Sequence, residues 1–306
     1  MLHDALIYVA GHRGLVGSAV WRALLSRGLS PVGWSSTELD LRDRDATFDA
    51  LTSARPDVLI MAAARVGGIL ANDGSPVEFL NDNLRIQTNL FEAAHHIGIE
   101  RVLFLGSSCI YPRCAPQPIK EQALLTGLLE PTNRAYAIAK IAGLEAVRSY
   151  RQQYGRRWIS AMPTNLYGPG DNFDLATGHV LPSLIRRFHE ADDSVTLWGS
   201  GTPRREFLHS DDAASALLHL LEHYDGDVHV NVGVGRDISI AALARLVAEV
   251  VGFDGEIMWD SAKPDGTPRK LLDVGLLRST GWRPRVELRE GIASTYAWFQ
   301  QHNAMP

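Results

Sequence analysis

Cysteine is scarce in this sequence, which excludes two kinds of site that cysteines commonly build. The 306 residues contain only Cys109 and Cys114, which lie five positions apart. Two cysteines at this spacing provide neither a framework of several disulfide bonds nor a four-cysteine metal site. We therefore expect no structural disulfides and no bound metal.

Long hydrophobic runs are also missing. The first apolar stretch, Ala5–Ala10, is too short to span a bilayer, and no later run reaches the length of a membrane helix. The N-terminus lacks the basic segment and the cleavage site of a secretory signal peptide. The sequence thus predicts a cytoplasmic protein with no membrane partner.

Positive charge is limited as well. The chain has 30 Lys and Arg residues against 35 Asp and Glu, a formal net charge of -5, and no long basic run. Nucleic-acid binding needs concentrated positive charge, so we do not expect that class of partner. A phosphorylated small molecule remains open, because two or three local arginines suffice to bind one.

The first half of the chain alternates between strand and helix patterns. Short apolar runs typical of buried parallel strands lie at Ala5–Ala10, Pro31–Trp34, Val58–Ala62, Arg101–Leu105 and Trp158–Met162. Helical periodicity is found at Leu15–Arg27, Arg44–Arg55, Val77–Gly98 and Ala135–Tyr154. This succession predicts an α/β fold with helices on both faces of a parallel sheet.

The second half is less regular and richer in glycine and proline. We predict helices at Val180–Glu190, Asp211–His223 and Ile240–Val251, and strands at Val195–Trp198, Glu206–Leu208 and His229–Val232. The pattern indicates a smaller α/β domain that is partly interleaved with the first. We assign residues 1–165 to the first domain, with 206–232 returning to it, and residues 166–205 and 233–306 to the second.

A glycine-rich loop joins the first strand to the first helix. Its glycines are Gly11, Gly14 and Gly17, a spacing that differs from the more familiar G-x-G-x-x-G. A tight turn at a helix N-terminus lets the backbone approach a pyrophosphate and offers it free N–H groups. We therefore predict a doubly wound, Rossmann-type sheet that binds a dinucleotide; the alternative is a glycine-rich turn without a ligand.

The choice between NAD and NADP depends on the end of the second predicted strand. NAD-binding folds usually hold the ribose hydroxyls there with an acidic residue. After Trp34 this chain has no carboxylate before Glu38, which would favour NAD only if the strand extends further. Arg13 could pair with the 2′-phosphate of NADP, or it could be a solvated loop residue. We favour NADP.

Ser107, Tyr136 and Lys140 form a candidate catalytic set. Tyr136 and Lys140 fall on one face of a predicted helix, one turn apart. A nearby ammonium stabilises a phenolate, so we expect Lys140 to bring the pKa of Tyr136 toward neutrality. Ser107 follows a buried strand and can hydrogen-bond the carbonyl that Tyr136 protonates. The alternative is a surface Tyr–Lys pair.

The glycine loop, the serine at a strand end and the Tyr-x-x-x-Lys pair together resemble the extended short-chain dehydrogenase/reductase family. The resemblance covers almost the whole chain. The segment Trp198–Asp212 is similar to the nucleotide-sugar branch of that family. The resemblance implies a nicotinamide-dependent oxidoreductase with a nucleotide sugar as its small-molecule substrate.

Four other stretches resemble the GDP-L-fucose synthase family within this branch: Gly106–Pro112, Glu130–Asn133, Met162–Pro169 and Lys263–Asp273. This narrower resemblance implies GDP-4-keto-6-deoxy-D-mannose as the substrate. The sugar would be epimerised at carbons 3 and 5 and then reduced at its 4-ketone by NADPH, which gives GDP-L-fucose. Related dehydratases carry Thr and an acidic residue where this chain has Ser107 and Ser108, so we do not expect dehydration.

Epimerisation needs one group to remove a proton and another to return it on the opposite face. The resemblance implies Cys109 and His179 for these two roles. The alternatives are a small buried hydrophobe for Cys109 and an ordinary helix N-terminal residue for His179.

The resemblance also implies two sets of binding residues. Those for the substrate are Arg187, Trp198, Arg205, Asp265 and Lys270. The alternatives are a solvated helix face for Arg187 and a core position for Trp198. Those for NADP are Gly11, His12, Arg13, Gly14, Leu15, Val16, Gly17, Ser36, Leu105, Gly106, Ser108, Lys140, Pro163, Thr164, Asn165, Leu166 and His179. Ser36 is a departure, because the family can carry an arginine there.

Two other functions stay open at this point. One is a redox-neutral epimerase that keeps NAD tightly bound, and the other is a catalytically silent nucleotide-binding or sensor protein. By analogy with relatives in which the corresponding helices pair, Val77–Gly98 and Ala135–Tyr154 predict a homodimer.

Overall fold

The computed structural model describes residues 2, 4–263 and 265–303. Residues 304–306, which end the predicted second domain, and Pro264, within the stretch Lys263–Asp273, lie outside the described residues. The strands, in chain order, are β1 Ile7–Ala10, β2 Val58–Met61, β3 Arg101–Leu105, β4 Ile159–Pro163, β5 Asn165–Tyr167, β6 Ser194–Trp198, β7 Arg204–Arg205, β8 Phe207–His209, β9 Val230–Val232, β10 Ile238–Ser239, β11 Glu256–Asp260 and β12 Arg269–Lys270.

The helices fall mostly where the apolar periodicity predicts them. They are α1 Leu15–Ser26, α2 Arg44–Ala54, α3 Ile69–Gly74, α4 Pro76–His96, α5 Arg134–Tyr154, α6 Val180–Glu190, α7 Ser210–His223, α8 Ile240–Val251, α9 Gly275–Ser279 and α10 Leu288–Asn303. All seven predicted helices are present, each within a few residues of its expected bounds. The sequence analysis missed α3, α9 and α10.

Five parallel strands form the central sheet in the order β1-β2-β3-β4-β9. Nearly every residue in them is buried, as expected for strands covered on both faces. Helices α1 and α7 cover one face, and α2, α4 and α5 cover the other. The predicted doubly wound α/β fold is confirmed.

The predicted strand Pro31–Trp34 is wrong in extent. It is reduced to one parallel bridge between Val32 and Tyr8 on the free side of β1. Two backbone hydrogen bonds hold it, from Val9 N to Val32 O at 2.9 Å and from Val32 N to Ile7 O at 2.9 Å. The chain then turns away, because Ser35 and Glu38 close a turn of their own.

A second core lies away from the central sheet. It is built from α6, α8 and α10 around Leu184, Phe188, Leu243 and Phe299. Three small sheets accompany it, namely β10-β7-β12, β11-β6 and β5-β8. The division into two domains stays a prediction; the separate core and the return of β9 to the central sheet are consistent with it.

The buried carboxylate of Glu206 connects distant parts of the chain. It accepts hydrogen bonds from the backbone N–H groups of Val234 (2.7 Å), Gly235 (2.6 Å) and Leu272 (3.0 Å). Its backbone oxygen accepts from the Asn165 side chain at 2.9 Å. Burial raises the pKa of Glu206, while these donors oppose the rise. The Glu206 side chain therefore joins the loop after β9 to the segment after β12, while its backbone oxygen holds the Asn165 side chain.

Within the described residues, no helix has the length and apolar character needed to cross a membrane. The same part of the chain contains no group of three His, Cys, Asp or Glu side chains placed to hold a metal ion.

The turn from β1 into α1 is closely packed at two of its three glycines. Gly11 has a left-handed φ of 80°, and an added Cβ there would lie 2.7 Å from the backbone of Ala63. A Cβ on Gly17 would overlap the carbonyl oxygen of Gly11. At Gly14 the nearest atom to an added Cβ is that same oxygen at 3.5 Å, an ordinary contact.

We therefore expect Gly17→Ala to lower the free energy of unfolding by about 1–3 kcal/mol, because the methyl group overpacks the β1–α1 turn. Gly14→Ala is the matched control and should give a clearly smaller loss. Urea unfolding followed by circular dichroism measures both. Equal losses in the two variants would show that the turn is not tight at Gly17.

Candidate active site

The site lies at the carboxyl edge of the central sheet, beside the point where the order of the strands reverses. After β1 the chain passes first to Val32 on one side of it, and then to β2 on the other. Open α/β sheets bind their ligands in the crevice that such a reversal creates. The Gly11–Gly17 loop leaves β1 at this edge.

The first turn of α1 is free to bind an anion. Its N-cap is Gly14, no side chain caps it, and no acidic residue lies in its first turn. The N–H groups of Leu15, Val16 and Gly17 therefore point outward with the positive end of the helix dipole. Because Gly14 has no side chain, the backbone can be approached closely. This geometry fits a pyrophosphate.

Arg13, within the glycine loop, and Ser36, after the Val32 bridge, are both exposed. The carboxylate of Glu38 is held within its own turn, where it accepts hydrogen bonds from Ser35 N (2.7 Å) and Ser35 Oγ (2.6 Å). These bonds lower the pKa of Glu38, and the positive charge of Arg13 contributes. His12 packs on Trp21 with ring centroids 5.0 Å apart. Glu38, the carboxylate that could favour NAD, is thus already engaged by Ser35.

The other predicted cofactor residues follow β3 and β4 at the same edge. Leu105 ends β3, and Gly106 N donates to Ala161 O of β4 at 2.9 Å. Ser108 and Thr164 are buried, and the Asn165 side chain is fixed by its bond to Glu206. Pro163 ends β4, and Leu166 lies in β5.

Lys140 is the best-fixed member of the catalytic set. It is 4% exposed, and its Nζ donates to the carbonyl oxygen of Leu105 at 2.8 Å. Burial lowers the pKa of Lys140 to about 8. Its Nζ lies 5.8 Å from the ring centroid of Tyr136, on the same face of α5.

Tyr136 lies against Ser107, as the sequence analysis predicts. The Ser107 side chain lies close enough to the Tyr136 hydroxyl to affect its pKa, and the Phe79 ring packs edge-on at 6.3 Å between centroids. The expected lowering of the Tyr136 pKa by Lys140 is not found. Burial raises that pKa, and negative charge on Cys109 adds to the rise, while the neighbouring Ser107 hydroxyl opposes it. Tyr136 is therefore protonated near neutral pH.

Cys109 lies in a short helical turn, Ser108–Ile110, which Ser107 caps by accepting a hydrogen bond from Cys109 N at 3.2 Å. The residue is only partly buried. Its sulfur accepts from Asn133 Nδ2 at 3.3 Å and from Lys270 Nζ at 3.6 Å. Polar donors on the sulfur do not fit the alternative of a merely hydrophobic residue.

His179 immediately precedes α6, and its side chain does not cap that helix. It follows a loop that contacts the segment between β2 and α3, where Gly68 N donates to Thr177 O at 3.0 Å. The residue as a whole is exposed. Its imidazole ring is nevertheless surrounded by protein atoms, and this burial lowers the pKa of His179. No contact between His179 and Cys109 is found among the described residues, so their action as an acid/base pair stays a prediction.

Strands β7 and β12 carry four basic side chains, two on each face of this strand pair. They pair in parallel, with Arg269 beside Arg204 and Lys270 beside Arg205. Arg204 and Arg269 both bond to the buried carboxylate of Asp237. Because side chains alternate along a strand, Arg205 and Lys270 face the opposite way, toward the site. Burial lowers the pKa of Arg205, while Glu130 opposes this effect.

The remaining predicted substrate residues are arranged around this strand pair. Arg187 forms no ion pair with any described residue, whereas its neighbour Arg186 bonds Glu190 at 2.7 Å. Trp198 is 49% exposed, so it is not a core residue. Both oxygens of Asp265 accept from Ser200, at 2.6 and 2.8 Å. Asp265 thus shapes the turn that follows Trp198.

Two residues at this site were not singled out from the sequence. Asn133 was included only within the stretch Glu130–Asn133, and its contact with Cys109 had no local signal. Asp237 was missed because its role depends on Arg204 and Arg269, which come together only through strand pairing.

Comparisons with known proteins agree with this geometry. The model of the NAD dependent epimerase/dehydratase family matches residues 7–233. The chain is 53% identical to "GDP-L-fucose synthase 1" of Arabidopsis thaliana, over 97% of this chain and 93% of that protein. It is 50% identical to "GDP-L-fucose synthase" of Escherichia coli (strain K12), over 97% of both.

A solved structure gives the same result for the fold. The GDP-L-fucose synthetase of Naegleria fowleri, described as bound to NADP, is 29% identical and superposes with a TM-score of 0.91. The match covers 100% of this chain and 97% of that one. The resemblance found in the sequence is confirmed, and the chain belongs to the NAD dependent epimerase/dehydratase family.

Proposed function

We propose that the protein is a bifunctional epimerase and reductase, which converts GDP-4-keto-6-deoxy-D-mannose to GDP-L-fucose with NADPH. The observation that carries this proposal is the convergence of Ser107, Cys109, Tyr136 and Lys140 at one sheet edge. It occurs in a chain whose full-length relatives at 50% identity and above are named GDP-L-fucose synthases.

The residues at the sheet edge fit a bound NADP. Backbone N–H groups of the glycine loop would hold the pyrophosphate, and the exposed Arg13 and Ser36 would meet the 2′-phosphate. Glu38 is engaged with Ser35, so it competes poorly for the ribose hydroxyls that it would bind in an NAD enzyme. Within this proposal, Leu105–Ser108 and Pro163–Leu166 line the other half of the cofactor cleft.

Epimerisation comes first. Carbons 3 and 5 of the sugar flank the 4-ketone, so their protons are acidified through an enolate. Ser107 and Tyr136 hydrogen-bond the ketone oxygen and stabilise the charge that develops there. Cys109 and His179 then remove and return the carbon-bound protons from opposite faces. His179 suits this task because burial, which lowers its pKa, favours the neutral imidazole.

Reduction follows at the same ketone. NADPH, when bound, supplies the hydride for carbon 4. Tyr136 gives the oxygen its proton, and its raised pKa ensures that the phenol carries that proton at neutral pH. Lys140 lies under the ring, tied to Leu105, and stabilises the phenolate as it forms. Ser107 keeps the carbonyl oriented throughout.

The diphosphate of the nucleotide sugar would meet Arg187 and Arg205. Neither is in an ion pair with a described carboxylate, and guanidinium groups bind phosphate oxygens two at a time. The exposed ring of Trp198 offers a face or an indole N–H to the nucleotide. Asp265 would act on the substrate indirectly, because its hydrogen bonds to Ser200 hold the turn after Trp198.

We further propose that the protein is a homodimer. Val77 on α4 and both Ile138 and Tyr154 on α5 are 62%, 45% and 49% exposed, although α4 and α5 pack against each other within the chain. A second copy placed on these two helices would cover them. The cytoplasmic location stays a prediction.

One assay tests the proposed function directly. With GDP-4-keto-6-deoxy-mannose, the wild-type protein should oxidise one NADPH for each GDP-L-fucose formed. Tyr136→Phe should slow NADPH oxidation by about 10²- to 10⁴-fold while nucleotide-sugar binding is retained, because only the transferable proton is lost. Tyr296→Phe, on α10 beside the second core, is the control. An epimerised product without net NADPH consumption would favour the redox-neutral alternative.

Arg13 should contribute to the choice of cofactor. We expect Arg13→Ala to lower the ratio of kcat/KM for NADPH to that for NADH by about tenfold, because one charge-assisted contact with the 2′-phosphate is lost. Arg245→Ala, at an exposed position on α8, should leave the ratio unchanged. A native preference for NADH would overturn the assignment and point to Glu38.

The buried Lys140 should make stability depend on pH. Because its folded pKa is about 8, the unfolded chain binds more protons between pH 8 and about 10.5, so stability rises with pH in that window. Wild type should gain up to about 3 kcal/mol relative to Lys140→Met across it. Urea titrations at several pH values measure this gain, with exposed Lys263→Met as the control. A constant difference would contradict the lowered pKa.

A further inference from the structure

Asn133 contacts the sulfur of Cys109, although it belongs neither to the catalytic set nor to the predicted binding residues. It ends the short helical turn Pro131–Asn133, immediately before α5 and three residues before Tyr136. Its Nδ2 donates to Cys109 Sγ at 3.3 Å, and Lys270 Nζ approaches the same sulfur at 3.6 Å. Both distances are within the longer range that hydrogen bonds to sulfur have.

The other end of the Asn133 amide is unusual. Its Oδ1 is buried and has no hydrogen-bond partner among the described residues. A buried acceptor without a partner is costly, so a group that is present in only part of the reaction cycle is a good candidate to satisfy it. A thiol is such a group, because it donates a hydrogen bond only when it carries its proton.

A carboxamide can serve both protonation states of a cysteine. Its NH₂ donates to a thiolate, and after the amide turns over, its oxygen accepts from a thiol S–H. Lys270 is a donor only, so it supports the charged sulfur alone. The nearby carboxylate of Glu130 is held through its Oε2, by Arg113 Nε at 3.3 Å and by Thr267 Oγ1 at 3.2 Å.

We propose that Asn133 is a positioning residue for the proton transfers of Cys109. This inference rests on the proposed function. When Cys109 acts as the base, the C–H bond beside the ketone breaks, its electron pair moves into the enolate, and the proton goes to the sulfur. When Cys109 acts as the acid, the same steps run in reverse. Asn133 holds the sulfur in place in both states, and Lys270 balances its charge.

The test separates carbon–hydrogen exchange from hydride transfer. Asn133→Leu is close to Asn in volume and removes both the donor and the acceptor, while Asn133→Asp keeps the shape and removes the donor. In heavy water, both should incorporate deuterium at carbons 3 and 5 at least about tenfold more slowly than wild type. Oxidation of GDP-L-fucose by NADP⁺ breaks neither of those C–H bonds, so its rate should stay within about threefold.

Thr132→Val, in the same helical turn, is the matched control and should exchange at the native rate. Alkylation by iodoacetamide in a Cys114→Ser background gives a readout that needs no substrate, and Asn133→Leu should slow modification of Cys109. If wild type exchanges deuterium and Asn133→Leu does so equally fast, the inference is overturned while the proposed function stands. If wild type does not exchange at all, the proposed epimerase function fails, and this inference fails with it.

Discussion

The hydrogen bond from Lys140 Nζ to the Leu105 carbonyl is the contact on which the arrangement of the site depends. It ties the buried face of α5 to the last residue of β3. Ser107 follows two residues after that carbonyl, and Tyr136 lies one turn before Lys140, so a single bond brings their side chains together. The ammonium has no carboxylate partner there, and burial lowers its pKa to about 8. Burying this charge lowers the stability of the fold, but it places a cation beneath Tyr136.

A second constraint orders the cations of the substrate side. Strands β7 and β12 carry four basic side chains in two registered pairs. Asp237 bridges the outer pair, Arg204 and Arg269, which offsets much of the repulsion between these two like charges on adjacent strands. The inner pair, Arg205 and Lys270, is left to act on the site. Alternation along a strand therefore separates the cations that Asp237 binds from those that face the site.

The sequence predicted those features whose signals are local. Such signals depend on neighbouring residues. They mark the buried strands, the glycine turn after β1, and the helices that stop just before Gly28, Gly155 or Gly252. The extent of the predicted strand Pro31–Trp34 was wrong because it is not set by neighbouring residues alone. This segment pairs with β1 on one side only, and the Ser35–Glu38 turn ends it. The contact between Lys270 and Cys109 joins residues 161 positions apart and requires the pairing of a two-residue strand, which has no periodicity to detect.

The two reactions of the proposed function share their supports rather than occupying separate sites. Ser107, which orients the ketone, also caps the turn that presents Cys109, so ketone and thiol are held by one short segment. On the facing segment, Asn133 and Tyr136 lie within one turn of helix and serve the thiol and the ketone respectively. Once the enolate has been protonated at carbon and the ketone is restored, that ketone is therefore already held beside Tyr136 for reduction. Because Lys140 ties α5 to the end of β3, the groups proposed for the two steps are held at the same sheet edge.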